Sequence, residues 1–438
     1  MKLVRLAPWL SCALCMFCFT TLNAEESPKA LTLEAALAEV DAHPDFQVAL
    51  AERNSAIADR DSAASRKDMS LNLEGVLRNG EQHNSLTADT AFLPDDGVRL
   101  IARKTLYDFG RSSAAEQAAN AEVNAREADL LTTRERRRLD IMSRYFDVLL
   151  ADMQYTADNE LMAAIYVAFD HGRDNFAAGK ISSLDLAEME TKYQDTFLKR
   201  TASMQRQRIS RALLANALNR PGDLPGDLVD PKLDTNNRIL PEYDKLLPVL
   251  LQNNPRLKAQ QELLAASQSR LESMRAEKGP TLDAEVQAGD YSRYSSLRDN
   301  LSAGLILSWP LYQGNRLDSR VAKEYAQQVK NRANLDKLKM DLTQSMLETY
   351  LDIEQLQGVG RSAAQKQVDY RDLTMERSRG LYELELRSNL GTSMTESFSA
   401  NLRVRRNEYQ LALDFARLEA ILGKPLEAKY KNEVKGKK

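Results

Sequence analysis

The chain has 438 residues, 28% of them charged, with a formal net charge of −3. That length holds two or three ordinary domains, and the near-balance of charge gives no electrostatic footing for nucleic acid. Gly (18) and Pro (13) are both scarce, which points to long regular elements.

Residues 1–24 read as a secretory signal peptide. Lys2 and Arg5 precede the apolar run Leu10 to Phe19, and Thr21-Leu22-Asn23-Ala24 offers a cleavage point. The run is short for a membrane anchor. Cys12, Cys15 and Cys18 all lie in it, so the cleaved chain would have no disulfide, thiol nucleophile or cysteine metal site. Lipidation at Cys12 is the lesser alternative, because Trp9 is too bulky three positions before the cysteine. No later stretch reaches 18 consecutive apolar residues, so no membrane-spanning helix is expected. An exported chain of this kind is periplasmic, secreted or an outer-membrane β-protein.

A first unit is read over 25–220. Leu31 to Lys67 reads as helix, with Thr32 or Pro44 marking starts. Leu71, Leu73, Gly75 and Leu77 then alternate with Asn72, Glu74 and Arg78, a strand over about 69–79. Gly80 to Gly97 reads as a polar loop with a turn at Pro94-Asp95-Asp96-Gly97. In the next strand, about 98–107, Val98, Leu100 and Ala102 alternate with Arg99, Ile101 and Arg103. Arg111 to His171 contains neither Gly nor Pro, which permits a single helix of roughly 90 Å. Its first part is rich in Ala, and Leu139, Met142, Phe146, Leu149 and Met153 then form a coiled-coil seam. Ile181 to Arg220 should return antiparallel, and 221–240 reads as a linker.

A second unit, 241–425, repeats the plan: helix from about Tyr243 to Lys278, strands at about 281–289 and 301–310, and a long helix seamed by Leu342, Met346, Ile353 and Leu356. Gly358-Val359-Gly360 should weaken that helix locally. A turn near Gly380 to Asn389 leads into the last helix, and 426–438 is a polar, basic tail. Tyr107 and Tyr312 lie 205 positions apart, as do Tyr145 and Tyr350. Asp41-Ala42-His43-Pro44 answers Gln252-Asn253-Asn254-Pro255, and Leu218-Asn219-Arg220-Pro221 answers Leu422-Gly423-Lys424-Pro425. Matches in one order at a near-constant offset argue for a duplicated helix-strand-strand-helix-helix unit.

Four such strands have the length and two-faced pattern of outer-membrane barrel strands. Four cannot close a barrel, so copies of the chain must complete one. A dimer gives eight strands and a trimer twelve; four helical columns per chain favour the wider ring. Tyr107, Trp309 and Tyr312, at strand ends, suit a membrane-interface belt, with core packing as the plain alternative.

Leu106-Tyr107-Asp108-Phe109-Gly110-Arg111, Trp309-Pro310-Leu311-Tyr312-Gln313-Gly314, the Asn-Pro near the second start and the Leu-Gly-Lys-Pro ending resemble TolC-type outer-membrane efflux proteins. So does the duplication, over about 31–425. The resemblance implies a mainly α fold with a small β part: a homotrimer with a twelve-stranded barrel in outer-membrane lipid, continued by a long periplasmic α-helical barrel. It also implies an outer-membrane channel, most of it periplasmic, serving tripartite efflux or type I secretion with a periplasmic adaptor and an inner-membrane transporter.

The turn Phe176-Ala177-Ala178-Gly179-Lys180-Ile181-Ser182-Ser183-Leu184-Asp185 matches the family's periplasmic tip. Phe176, Gly179, Lys180, Ile181 and Ser182, with Tyr382, Leu384, Leu386 and Leu390 of the second tip, are therefore expected at the adaptor-docking rim. Asp185 is the gate candidate; Gly391 stands at its place in the second half.

No enzyme is expected. His43, His83 and His171 have no nucleophile–base or metal-ligand spacing around them, and no cofactor is implied. The Arg134 to Arg138 and Arg403 to Arg406 runs read as solvated faces or interhelix salt links. The rival of another class is a periplasmic or surface coiled-coil structural protein without channel activity. It accounts for the helices and leaves the strands unexplained.

Overall fold

The computed structural model describes residues 30–83, 90–292, 299–384 and 390–426. The signal peptide, the cysteines and residues 427–438 of the tail lie outside the described residues. The fold is mostly helical with one small sheet. The elements are α1 (Leu33–Ala38), α2 (Pro44–Ala64), β1 (Ser70–Val76), β2 (Asn79–His83), β3 (Thr90–Pro94), β4 (Gly97–Tyr107), α3 (Arg111–Ala177) and α4 (Ser183–Ala217). After the linker come α5 (Tyr243–Asn253), α6 (Pro255–Ala276), β5 (Thr281–Tyr291), β6 (Leu301–Ser308), α7 (Arg316–Gln355), α8 (Arg361–Glu383) and α9 (Leu390–Leu422).

The Gly- and Pro-free stretch from Arg111 to His171 lies within one helix of 67 residues, about 100 Å long, which continues through the buried Gly172 to Ala177. Chain direction changes at its start through Phe109 (φ 59°) and Gly110 (φ 84°). The Asp108 carboxylate then accepts from the Ser112 amide at 2.7 Å, satisfying one of the free donors of the first turn. Ala114, Ala118, Ala121 and Ala125 are buried and allow close approach of α6. Farther along, Met142, Tyr145, Phe146 and Val148 fill a wider core.

Helices pack in two tiers. Beside the sheet the order is α2–α3–α6–α7; beyond it the order is α4–α3–α9–α8. The tiers meet at two joints. At one, α4 ends where α2 begins: Asn219 Nδ2 donates to the Ala42 carbonyl at 3.1 Å. At the other, α9 ends where α6 begins: Asn254 Nδ2 donates to the Ile421 carbonyl at 2.7 Å. The matched motifs of the two halves thus lie at corresponding joints.

Two local features differ from the sequence reading, the break at Asn254 and a ribbon in the first loop. The region 31–67 divides at both starts read in it, with Thr32 capping α1 and Pro44 opening α2, whereas the helix expected over 243–278 breaks at Asn254. At Pro44 and at Pro255 a proline takes the first helical position and a side chain caps the new helix: His43 Nδ1 accepts from the Asp45 amide, Asn254 Oδ1 from the Leu257 amide. The loop 80–97 contains a two-stranded ribbon, with β2 paired to β3. Over Leu356–Gly360 the long helix passes through a π turn, where two glycines relax the ladder.

The linker is not loose. Leu31 forms a parallel bridge with Leu228, and the Tyr145 hydroxyl lies 2.7 Å from the Leu31 carbonyl and 2.6 Å from that of Val229. Burial pushes the Tyr145 phenol up to about 12. Phe146 stacks on Tyr409 with ring centroids 4.7 Å apart. The second core joins α5 to α7 and α9 through Leu250, Met346, Ile353, Leu411 and Leu418.

Candidate functional site: one sheet face and two helical tips

The sheet runs β1–β4–β5–β6, antiparallel throughout. Side chains directly opposite each other share a face. The register therefore gathers Leu71, Leu73, Val98, Leu100, Ala102, Leu282, Ala284, Val286, Ala288, Leu301, Ala303, Leu305 and Leu307 on one side. That side is uncovered: Leu301, Leu305 and Leu307 are 70%, 66% and 68% exposed. The other side is polar and paired. Arg99 Nε donates to Glu74 at 2.8 Å, Arg103 Nε to Glu285 at 2.8 Å, and the Thr105 hydroxyl to Asp283 at 2.7 Å. A water-soluble sheet would hide the leucines against a core. Here the polar side carries the ion pairs and the apolar side is bare, the pattern suited to an apolar solvent. Val76, Ile101 and Ile306 are apolar residues on the polar side, and Lys104 and Asp290 are charged residues on the apolar side.

The aromatic residues expected at a membrane interface gather at the helix end of the sheet. Tyr107 closes β4, Trp309 follows β6, and Tyr312 is 89% exposed. Trp309 Nε1 donates to the Lys278 carbonyl at 3.2 Å, and Tyr107 meets Phe109 edge-on. An exposed ring with a tethered polar tip suits a boundary between lipid and water.

At the far end, α3 turns into α4. Gly179 (φ 71°) adopts the left-handed conformation that closes the helix, with its amide donating to the Phe176 carbonyl and the Lys180 amide to that of Asn175. Ser182 and Asp185 then form a reciprocal cap: the Asp185 amide donates to the Ser182 hydroxyl at 3.2 Å, and the Ser182 amide to the Asp185 carboxylate at 3.0 Å. Hydrogen bonds from the Ser182 side chain and backbone hold the Asp185 carboxyl below its ordinary value. The gate candidate is thus also the cap of α4, a role that the Ser-x-x-Asp spacing shows in hindsight. Phe176 and Leu184 project into solvent, and Lys180 is exposed.

In the second tip, Tyr382 and Leu384 are exposed at the end of α8. Leu386 lies outside the described residues, and Leu390 begins α9. The two hairpins pack closely: a Cβ on Gly391 would stand 2.6 Å from that of Ala164, so α9 lies against α3 there.

The remaining candidates have local roles. His43 is the N-cap of α2, and His171 is an exposed residue of α3. Arg134 pairs with Asp41, Arg137 with Asp140, and Arg405 with Asp230. The Asp95 carboxylate pairs with Arg78. No cluster of metal-ligating side chains occurs among the described residues, and no described helix is long and apolar enough to cross a membrane.

Residues 246–424 match the model of the outer membrane efflux protein family. No curated protein matches the chain by sequence. Three solved structures share its fold over nearly its whole length. The CmeC outer-membrane channel of Campylobacter jejuni aligns with a TM-score of 0.75 at 13% identity, over 92% of this chain and 88% of that one. The outer-membrane protein VceC of Vibrio cholerae gives 0.73 at 15%, over 90% and 97%. The open state of the MtrE outer-membrane channel of Neisseria gonorrhoeae gives 0.71 at 15%, over 90% and 89%.

Proposed function

We propose that this chain, which carries the outer membrane efflux protein pattern in residues 246–424 and the fold of outer-membrane channels along its length, is the outer-membrane conduit of a tripartite efflux or type I secretion system. One observation carries the reading: a four-stranded sheet with a bare apolar face, fed by helices about 100 Å long. In this reading the bare face meets outer-membrane lipid, Tyr107, Trp309 and Tyr312 mark the inner interface, and the helices stand in the periplasm.

The edges support assembly from copies. β1 and the α2/α4 column lie on one side of the chain, β6 and the α7/α8 column on the other. Each side carries exposed apolar residues: Val48, Leu198 and Ile209 on the first, Met340, Leu351 and Leu373 on the second. Unlike edges that meet head to tail close into a ring. Three copies give twelve strands and a helical barrel, with 25–220 and 241–425 as duplicated units.

The tips then face the inner membrane. Phe176, Gly179, Lys180, Ile181 and Ser182, with Tyr382, Leu384, Leu386 and Leu390, form the rim for a periplasmic adaptor and its transporter, and Asp185 sits by the gate. A coiled-coil scaffold is the second reading; the bare leucines disfavour it. Native mass spectrometry of the detergent-extracted outer membrane tests the assembly, and a stable monomer there would overturn it. Crosslinking from a Cys at Lys180 to a co-expressed adaptor tests the rim. Crosslinks confined to 221–240 would overturn that assignment.

A further inference from the structure

The linker crosses α8 and α9 beside the π turn, and the contact there is elaborate. Asn236 is fully buried, and its amide donates to the Glu408 carbonyl at 2.9 Å and to the Glu408 carboxylate at 2.8 Å. Its Oδ1 is buried without a hydrogen-bond partner. Gln357, inside the π turn, donates to the Asn236 and Arg238 carbonyls, each at 2.9 Å. Arg361, the first residue of α8, grips Glu408 of α9 with two bonds of 2.6 and 2.7 Å and reaches Asn237 at 3.2 Å. Four segments are thus tied at one point: linker, π turn, α8 and α9.

Beside this knot the π turn carries two glycines, Gly358 and Gly360. Gly358 has nothing within 4 Å of where a Cβ would stand, and Val359 is 75% exposed. A π turn with two glycines bends more easily than the helices on either side. From here α8 runs to the second tip.

We propose that the Arg361–Glu408 pair, seated by Asn236 and Gln357, is a latch that sets the register of α8 on α9, and that its release lets α8 pivot at residues 356–360 and move the second tip. The latch deepens the channel reading above and rests on it for its purpose. Arg361 and Glu408 are positioning residues, acting at a distance from any passing cargo.

The test uses the assembled protein in detergent and in planar bilayers. Spin labels at Lys180 and Tyr382 report the spacing of the two tips. In Glu408→Gln and Arg361→Gln, the population with the tips apart should rise at least about fivefold, the lower range for coupled conformational states. The charge-swapped double variant Arg361→Glu/Glu408→Arg should bring it back toward the starting value. Gly358→Ala, which has room for its methyl, should reduce the separated population in the Glu408→Gln background. Unchanged label distances in folded Glu408→Gln and Arg361→Gln, or no effect of either rescue, would overturn the latch. Bilayer conductance is read separately. Tips that separate without any ion current would overturn the channel reading and leave the latch standing.

Discussion

Asn219 Nδ2 donates to the carbonyl of Ala42 at 3.1 Å, so the last turn of α4 and the approach to α2 are one joint. Its counterpart uses Gly423 (φ 71°), whose Cβ, if present, would stand 2.4 Å from the Asn253 carbonyl oxygen. Gly423→Ala should therefore cost about 2–4 kcal/mol, from left-handed backbone strain plus overpacking. Asn219→Gly keeps the left-handed turn and loses the bond to Ala42, so it should cost about 1 kcal/mol or less. Thermal unfolding in detergent, followed by circular dichroism, ranks the two; equal losses would contradict the joint.

Leu305→Arg places a charge in the middle of the bare face and should cost about 2–4 kcal/mol and lower the yield of assembled protein. Ser302→Arg is the control, on the polar side of the same strand opposite Gln287. It should assemble normally. Asp283, also on that side, is a poorer control, because it accepts from Thr105. Equal yields of the two arginine variants would mean that the faces are misassigned.

Tyr145→Phe removes the donor that ties the linker to α3 and should cost about 1–2 kcal/mol. The phenol has its pKa raised in the fold, so its contribution is complete below pH 10 and fades as pH rises through about 12. Wild type should lose its advantage over the variant in that alkaline window. A gap that stays constant across it would show that the hydroxyl does not stabilise the fold.

Glu408 behaves in the opposite sense. Burial would raise its carboxyl, but the bonds from Arg361 and Asn236 outweigh burial and bring it below the ordinary 4.5. Its contribution is complete above pH 4.5 and is lost as pH falls through the lower folded value. Glu408→Gln should cost about 1.5–3 kcal/mol at neutral pH, and the gap to wild type should close in acid. Melting curves from pH 7 downwards decide it.

Gly179→Ala should loosen the first tip by about 1 kcal/mol without touching the sheet. Hydrogen exchange should quicken over 174–186 and stay unchanged over β4 and β5. Asp185→Ala should quicken exchange at the same turn by opening the cap of α4. If exchange there is unchanged, the cap is dispensable and any effect on leak belongs to a gate.

Much of the architecture was legible because its periods are long and clean. Leu282, Ala284, Val286 and Ala288 alternate with Asp283, Glu285 and Gln287, and neither Gly nor Pro breaks the chain between Arg111 and His171. The start at Pro44 was legible, but the break at Asn254 was harder to read, since proline at a first helical position signals a start and an end alike. The β2–β3 ribbon hid in a stretch whose glycine and polar residues suggest a loop. The knot at Asn236 was invisible. It joins residues 121 and 172 positions apart, and neither Asn236 nor Gln357 departs from an ordinary polar context. At the tips the same limit applies: Asp185, read as the gate candidate, stands in a Ser-x-x-Asp spacing that spells a helix cap.

The two unlike edges of the sheet carry a genetic consequence. In the proposed ring, each chain would offer β1, one edge of its sheet, to one neighbour and β6, the other edge, to the next. A variant damaged at a single edge still joins through the sound one, and so it occupies a place in a ring that cannot close. Expressed beside an equal amount of wild type, such a chain leaves only about one ring of three in eight free of it. Lesions in β1 or β6 should therefore be dominant, whereas lesions that prevent folding altogether should be recessive.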